Sequence, residues 1–206
     1  MTERPLHGRL PWRSPEELDA SAQLVYQAIT GGDRATQAPF VMTSPDGRLE
    51  GPFNAMLYAP RIGHALQALG GVLRFRGSLS DRSREISILT LAAVRQSEFE
   101  WYAHEAVGAL LGLTRSEMSA IRNFESAESF SQGERLIQEA TLELLTGRQL
   151  QSQTFEDLVK VLGFDGVQEL ITLVGYYDVL ALIMNVWQTP LPGGVPGVFP
   201  DAHPGP

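Results

Sequence analysis

The stretch from Leu79 to Leu113, LSDRSREISILTLAAVRQSEFEWYAHEAVGALLGL, constrains the fold more than any other part of this chain. It reads as two helices separated by a polar break at Gln96 and Ser97. The first, from about Arg82 to Arg95, is apolar on nearly every side through Ile86, Ile88, Leu89, Leu91, Ala92, Ala93 and Val94, the pattern of a buried helix. Glu85 falls inside that run, and an ionised carboxylate there needs a partner or a shifted pKa. The second helix sets Glu100 and His104 four residues apart, neighbours on one face. Antiparallel packing of the two helices would let the two carboxylates and the imidazole converge on one pocket.

The remaining pattern predicts an all-α protein. Ser14-Pro15-Glu16-Glu17 has the form of a capped helix start, followed by Leu18, Ala22, Val25 and Ile29 and stopped by Gly31-Gly32. Residues 33–54 read as a loop with turns at Pro45-Asp46-Gly47 and Gly51-Pro52. Pro60 opens a helix with Ile62, Leu66, Leu69 and Leu73 on one stripe. Thr114 to Glu117 and Ser131 to Glu134 are capping boxes, and a helix from Thr154 ends at Gly163 before a last, longest helix running to Trp187. No segment alternates with period two for long enough to build a sheet. The expected organisation is an arm, helix and loop over 1–44, a helical domain over 45–189, and a tail over 190–206 with six prolines and four glycines. That tail is expected to be disordered or laid over a neighbouring subunit.

Composition removes several function classes. The formal net charge of −8, with no basic stripe, argues against nucleic acid. The absence of cysteine removes disulfides, thiolate metal sites and thiol catalysis together. No apolar leader is seen at the N-terminus and the apolar runs are interrupted, so the chain is read as soluble, cytoplasmic and without a membrane partner.

The segments SREISILTLAAV and EFEWYAHEAVGALLGL, with the spacing of Glu85, Ser97, Glu100 and His104, resemble the carboxymuconolactone decarboxylase and AhpD-like proteins. GPFNAML near residue 51 and LITLVGYYDVLALIMN extend the resemblance over most of 45–187. The peroxidase branch carries a CxxC pair followed by His; here the cysteine positions are Ser97 and Glu100. The decarboxylase branch carries Tyr-Glu-Trp-x-x-His, matched from Phe99 to His104 with Phe in place of Tyr. The resemblance implies an AhpD-like helical domain assembled as a homo-oligomer, trimer or hexamer, most simply with three-fold symmetry. It also implies a cofactor-free enzyme of the decarboxylase type acting on a small unsaturated or lactone organic acid, with Phe53 and Asn54 near the substrate.

In that reading His104 moves the proton, Glu100 orients it, and Glu85 holds the network or the substrate. Phe53, Asn54, Arg76, Ser97 and Trp101 are the substrate-binding candidates. Each has a plainer role open to it. Phe53 can staple the loop, Arg74 and Arg76 can be favourable helix C-terminal charges, Ser97 can cap a helix, and Trp101, Tyr102, Tyr176 and Tyr177 can be core. A metal held by the two glutamates and one histidine is a weaker reading, because no second histidine follows His104 at helical spacing. The alternative from a different class is a non-catalytic, ligand-binding or structural member in which Glu85 and His104 form a buried polar network.

Overall fold

The computed structural model describes residues 5–32, 36 and 38–199, and among these the architecture is helical. The helices are α1 (Ala20–Thr30), α2 (Pro52–Met56), α3 (Pro60–Phe75), α4 (Asp81–Arg95), α5 (Glu98–Leu110), α6 (Arg115–Arg122), α7 (Gln132–Gly147) and α8 (Ser152–Trp187). A two-residue hairpin, β1 (Leu6–His7) and β2 (Leu10–Pro11), precedes them.

Helix α4 is the centre, as its composition requires. Every residue from Arg84 to Ala93 is buried, and α5, α6, α7 and α8 all pack against it. One apolar cluster runs from Ile29 and Leu49 through Ile88 and Leu91 to Leu170 and Ala181. A second, on the far side of α4, joins Ile86 and Leu89 to Trp101, Ile121 and Phe130. The polar break at Gln96 ends α4 in a left-handed residue (φ 48°, ψ 42°). The Ser97 amide donates to the Ala92 carbonyl at 2.9 Å and the Gln96 amide to the Ala93 carbonyl at 3.2 Å. That is a Schellman closure, and it turns the chain so that α5 folds back along α4.

Both expected capping boxes, at Thr114 and Ser131, are present. Arg82 ties the helices they open, bonding Glu117 on α6 at 2.5 Å and Glu134 on α7. The break at Gly163 is also present: its φ of 69° and ψ of 175° kink α8 and divide it into two segments. By length and composition α8 is apolar enough to cross a bilayer. Its inner face, including Leu170, Leu173, Tyr177 and Ala181, is core.

Three expectations need correction. The Ser14 capping box opens a single 3-10 turn, Pro15–Glu17, and α1 starts later because the Asp19 carboxylate accepts from the Ala22 amide at 2.9 Å. On α3 the stripe is buried only in part: Leu73 is core and Leu66 packs against it, but Ile62 is 63% exposed and Leu69 is exposed too, while Gly63 and Gly70 face inward. A Cβ at Gly63 would meet the Met56 carbonyl at 2.3 Å, and this close approach of α2 sets the helix's rotation. Finally, the described part of the tail lies over its own chain. The Val198 and Phe199 amides both donate to the Glu98 carboxylate at 2.8 Å, and the Phe199 ring packs edge-on against Trp101.

Candidate active site

Glu85 on α4 and His104 on α5 meet because the turn at Gln96 sets the two helices side by side. The His104 Nδ1 lies 2.6 Å from the Glu85 Oε2, and both side chains are buried. Donation from the Nδ1–H to the Glu85 carboxylate leaves Nε2 as the ring nitrogen that Glu85 does not engage. The Arg84 guanidinium lies 3.7 Å from the other Glu85 oxygen and is held by Asp81 at 2.6 Å, which sets Glu85 between the imidazole and a guanidinium. The Tyr177 ring from α8 packs edge-on against His104 at 5.0 Å and fixes the imidazole plane.

His104 opens on a cavity of about 40 Å³. Pro52 and Phe53 of α2, Phe99 and Ala103 of α5, and Tyr176, Leu180 and Met184 of α8 make its apolar wall. Two polar groups besides His104 reach it, Glu100 and Arg74. Glu100 is 2% exposed and neither carboxyl oxygen has a hydrogen-bond partner among the described residues. Burial pushes its pKa well above the ordinary carboxylate range. The Ser97 hydroxyl, near but not hydrogen-bonded, opposes the shift weakly, and the charge of Asp178 adds to it. Burial therefore favours the neutral acid form of Glu100, a carboxyl with no partner among the described residues. Arg74 is half-buried, and its guanidinium makes no hydrogen bond or ion pair with the described residues beyond a contact over the Phe75 ring at 5.5 Å.

The geometry revises the roles read from the sequence. Glu85, not Glu100, orients His104; Glu100 stands apart from the pair, with both oxygens unpartnered among the described residues. Phe53 lines the cavity as expected. Asn54 does not. It accepts from the Arg13 amide and donates to the Pro11 carbonyl, both at 3.3 Å, and so pins the N-terminal arm to α2. Arg76 is exposed on a separate groove with Ala28 and Gly32, and Arg74, two residues earlier on the helix, is the arginine at the cavity. Trp101 is buried in the second cluster on the opposite side of α5, against Phe199. Ser97 occupies the N-cap position of α5, but its buried hydroxyl caps nothing and it does not line the cavity. Among the described residues no three His, Asp or Glu side chains gather as a metal site.

No protein-family profile matches the sequence, and no curated protein matches it. Solved structures do. A peroxidase-related protein with an alkylhydroperoxidase AhpD core, from Ralstonia eutropha JMP134, superposes with a TM-score of 0.71 at 14% identity, over 93% of this chain and 95% of that one. The fold is that of the AhpD core. A variant of the debrominase Bmp8 in complex with 2,3,4-tribromopyrrole shares the AhpD architecture at 10% identity, with a TM-score of 0.66 over 84% of this chain and 87% of that one. A protein of unknown function from Agrobacterium tumefaciens matches at 14% identity and a TM-score of 0.61, over 69% of this chain and 99% of that one. Identities this low carry the AhpD fold and not an activity.

Proposed function

We propose that this protein is an acid–base enzyme that moves a proton on a small organic acid, without thiol chemistry. The observation that carries the reading is an imidazole oriented by one carboxylate and a separate, buried, unpartnered carboxyl at the same cavity. In this reading His104 Nε2 acts as the base, while burial favours the neutral acid form of Glu100. Groups pushed to opposite states by their surroundings are the arrangement that acid–base catalysis requires.

The role of each follows. Arg74 supplies the positive charge that holds the substrate's carboxylate. His104 Nε2 removes a proton from carbon next to a conjugated carbonyl, and Glu100 donates its proton to the carbonyl oxygen as the enolate forms. In a decarboxylation the electron pair left by departing carbon dioxide flows into the same carbonyl, and Glu100 supplies the proton that replaces it. Cavity size limits the substrate: about 40 Å³ is well under the ~150 Å³ that takes a benzene ring. In this closed form it takes a molecule of a few heavy atoms; a lactone acid requires the Phe53 or Phe99 wall to move.

The binding reading, in which the same groups hold a ligand without turnover, is favoured by that small volume alone. Hydrogen–deuterium exchange separates the two. Short β-keto acids and unsaturated acids incubated with the protein in heavy water should show enzyme-dependent exchange or carbon dioxide release by NMR. His104→Ala should lower the rate by a factor on the order of 10² to 10⁴. Binding by the wild type with no exchange or turnover across the panel would leave the binding reading in its place.

A further inference from the structure

The outer face of α8 carries a long apolar stripe that no described residue of the chain covers. Phe164, Ile171, Val179, Leu182 and Val186 are between 41% and 71% exposed, and Gln168 and Gly175 are exposed among them. At the pitch of an α-helix these seven positions fall within a band about 80° wide and span about 33 Å. Monomeric proteins seldom leave so continuous an apolar surface in water.

The stripe is symmetric in sequence about Gly175. Ile171 and Val179 lie four residues to either side, Gln168 and Leu182 seven, and Phe164 and Val186 eleven. A second α8 laid antiparallel, with Gly175 on a two-fold axis, sets each member of a pair opposite the other, so two apolar layers, with a Gln168–Leu182 layer between them, form on each side of the crossing. Thr172 and Asp178, three residues to either side, flank the stripe and face each other across it. Asp178 already carries Arg95 at 2.5 Å, so its charge is held at the rim. A parallel arrangement would instead bring Asp178 level with Asp178. Gly175 adds an independent observation. A Cβ there would meet nothing within 4 Å, so no contact within the chain requires glycine in this helix interior, whereas the close approach of a second helix does.

We propose that this face binds a second copy of the chain, through an antiparallel, two-fold α8–α8 contact that crosses at Gly175. The contact builds a dimer, or an even-numbered assembly such as a hexamer, and not a simple trimer. A lipid surface fits less well: Asp165 and Asp178 border the stripe, and the net charge of −8 opposes anionic headgroups. The contact also lies directly behind Tyr176 and Tyr177, which line the catalytic cavity from the inner face of the same helix.

The absence of native cysteine makes the test direct. Helix axes 8–10 Å apart bring facing Cα atoms to about 4–5 Å at the crossing, within reach of a disulfide. Ile171→Cys with Val179→Cys, a pair that faces across the two-fold axis one turn from the crossing, should therefore form a cross-linked dimer in high yield under mild oxidant at micromolar concentration, while Glu139→Cys, exposed on α7, should not. Ile171→Asp with Leu182→Asp should halve the mass seen by light scattering and leave the helical circular dichroism unchanged. A monomeric or trimeric wild type, or an oligomer in which Ile171→Cys with Val179→Cys does not cross-link, overturns the proposal. So does a wild type that stays monomeric in buffer and sediments with phosphatidylcholine–phosphatidylglycerol vesicles, which would assign the stripe to a membrane surface.

Discussion

At the scale of single residues, the candidate site is defined by where three side chains point, and sequence spacing reports that only in part. Glu100 and His104 were legible as neighbours because four residues is about one helical turn. Their contact was not, because the imidazole turns toward Glu85 on the next helix, a choice made by packing. Arg74 and Arg76 differ by two residues, which on a helix means opposite sides, so reading the wrong one sends the charge from the cavity to another groove. Trp101 follows Glu100 by one residue, or 100° of turn, and that rotation carries it into the second core. The neutral Glu100 has a consequence for stability. Above its usual 4.5 the unfolded chain releases this proton while the folded chain keeps it, so its contribution to folding falls as pH rises. Urea midpoints of the wild type should fall between pH 5 and pH 8 by more than those of Glu100→Gln, which has no proton to lose. Equal falls would mean that Glu100 is ionised in the folded protein.

At the scale of elements, α4 was legible in full because a helix apolar on every side has only one place to go. Its cost of disruption is correspondingly high. Ile86→Ala, at a fully buried position, should lower stability by about 2–5 kcal/mol in chemical denaturation. The α4–α6–α7 junction should set the acid limit of the fold. Burial raises the Glu117 carboxyl, but the Thr114 amide, the Ser129 hydroxyl and the Arg82 guanidinium outweigh it and hold the pKa at about 2. A lowered folded-state pKa stabilises fully above the usual 4.5 and is lost as pH falls toward 2. Arg82→Met should move acid unfolding to higher pH, followed by circular dichroism; an unchanged acid transition would mean that the network contributes nothing. Helix α2 was hidden in a stretch read as loop, since five residues behind a Gly-Pro give no period to detect. Its entry at Gly51 (φ 59°) leaves a Cβ only 2.3 Å from the Phe99 ring. Gly51→Ala should therefore displace Phe99 and weaken binding of any ligand in the cavity.

At the scale of the whole molecule, the arm, the loop and the tail close around the helical core in ways the sequence did not disclose. The His7 imidazole lies 3.0 Å from the Glu50 carboxylate and stacks on Trp12, and the arm passes within hydrogen-bond distance of the end of α8. The His7–Glu50 and Arg9–Trp187 contacts join residues more than forty positions apart, and nothing in local pattern encodes such a distance. The AhpD architecture is here assembled without sulfur at the positions of the CxxC pair, so homogeneous protein should show no thiol-dependent peroxide turnover; a measurable rate would contradict the chemistry proposed. That chemistry depends first on Glu100 being a neutral acid beside the His104 base. Infrared difference spectroscopy of the wild type against Glu100→Gln at pH 7 measures this directly. The account predicts a protonated-carboxyl stretch in the wild type that the variant lacks; a carboxylate signal in its place would contradict it.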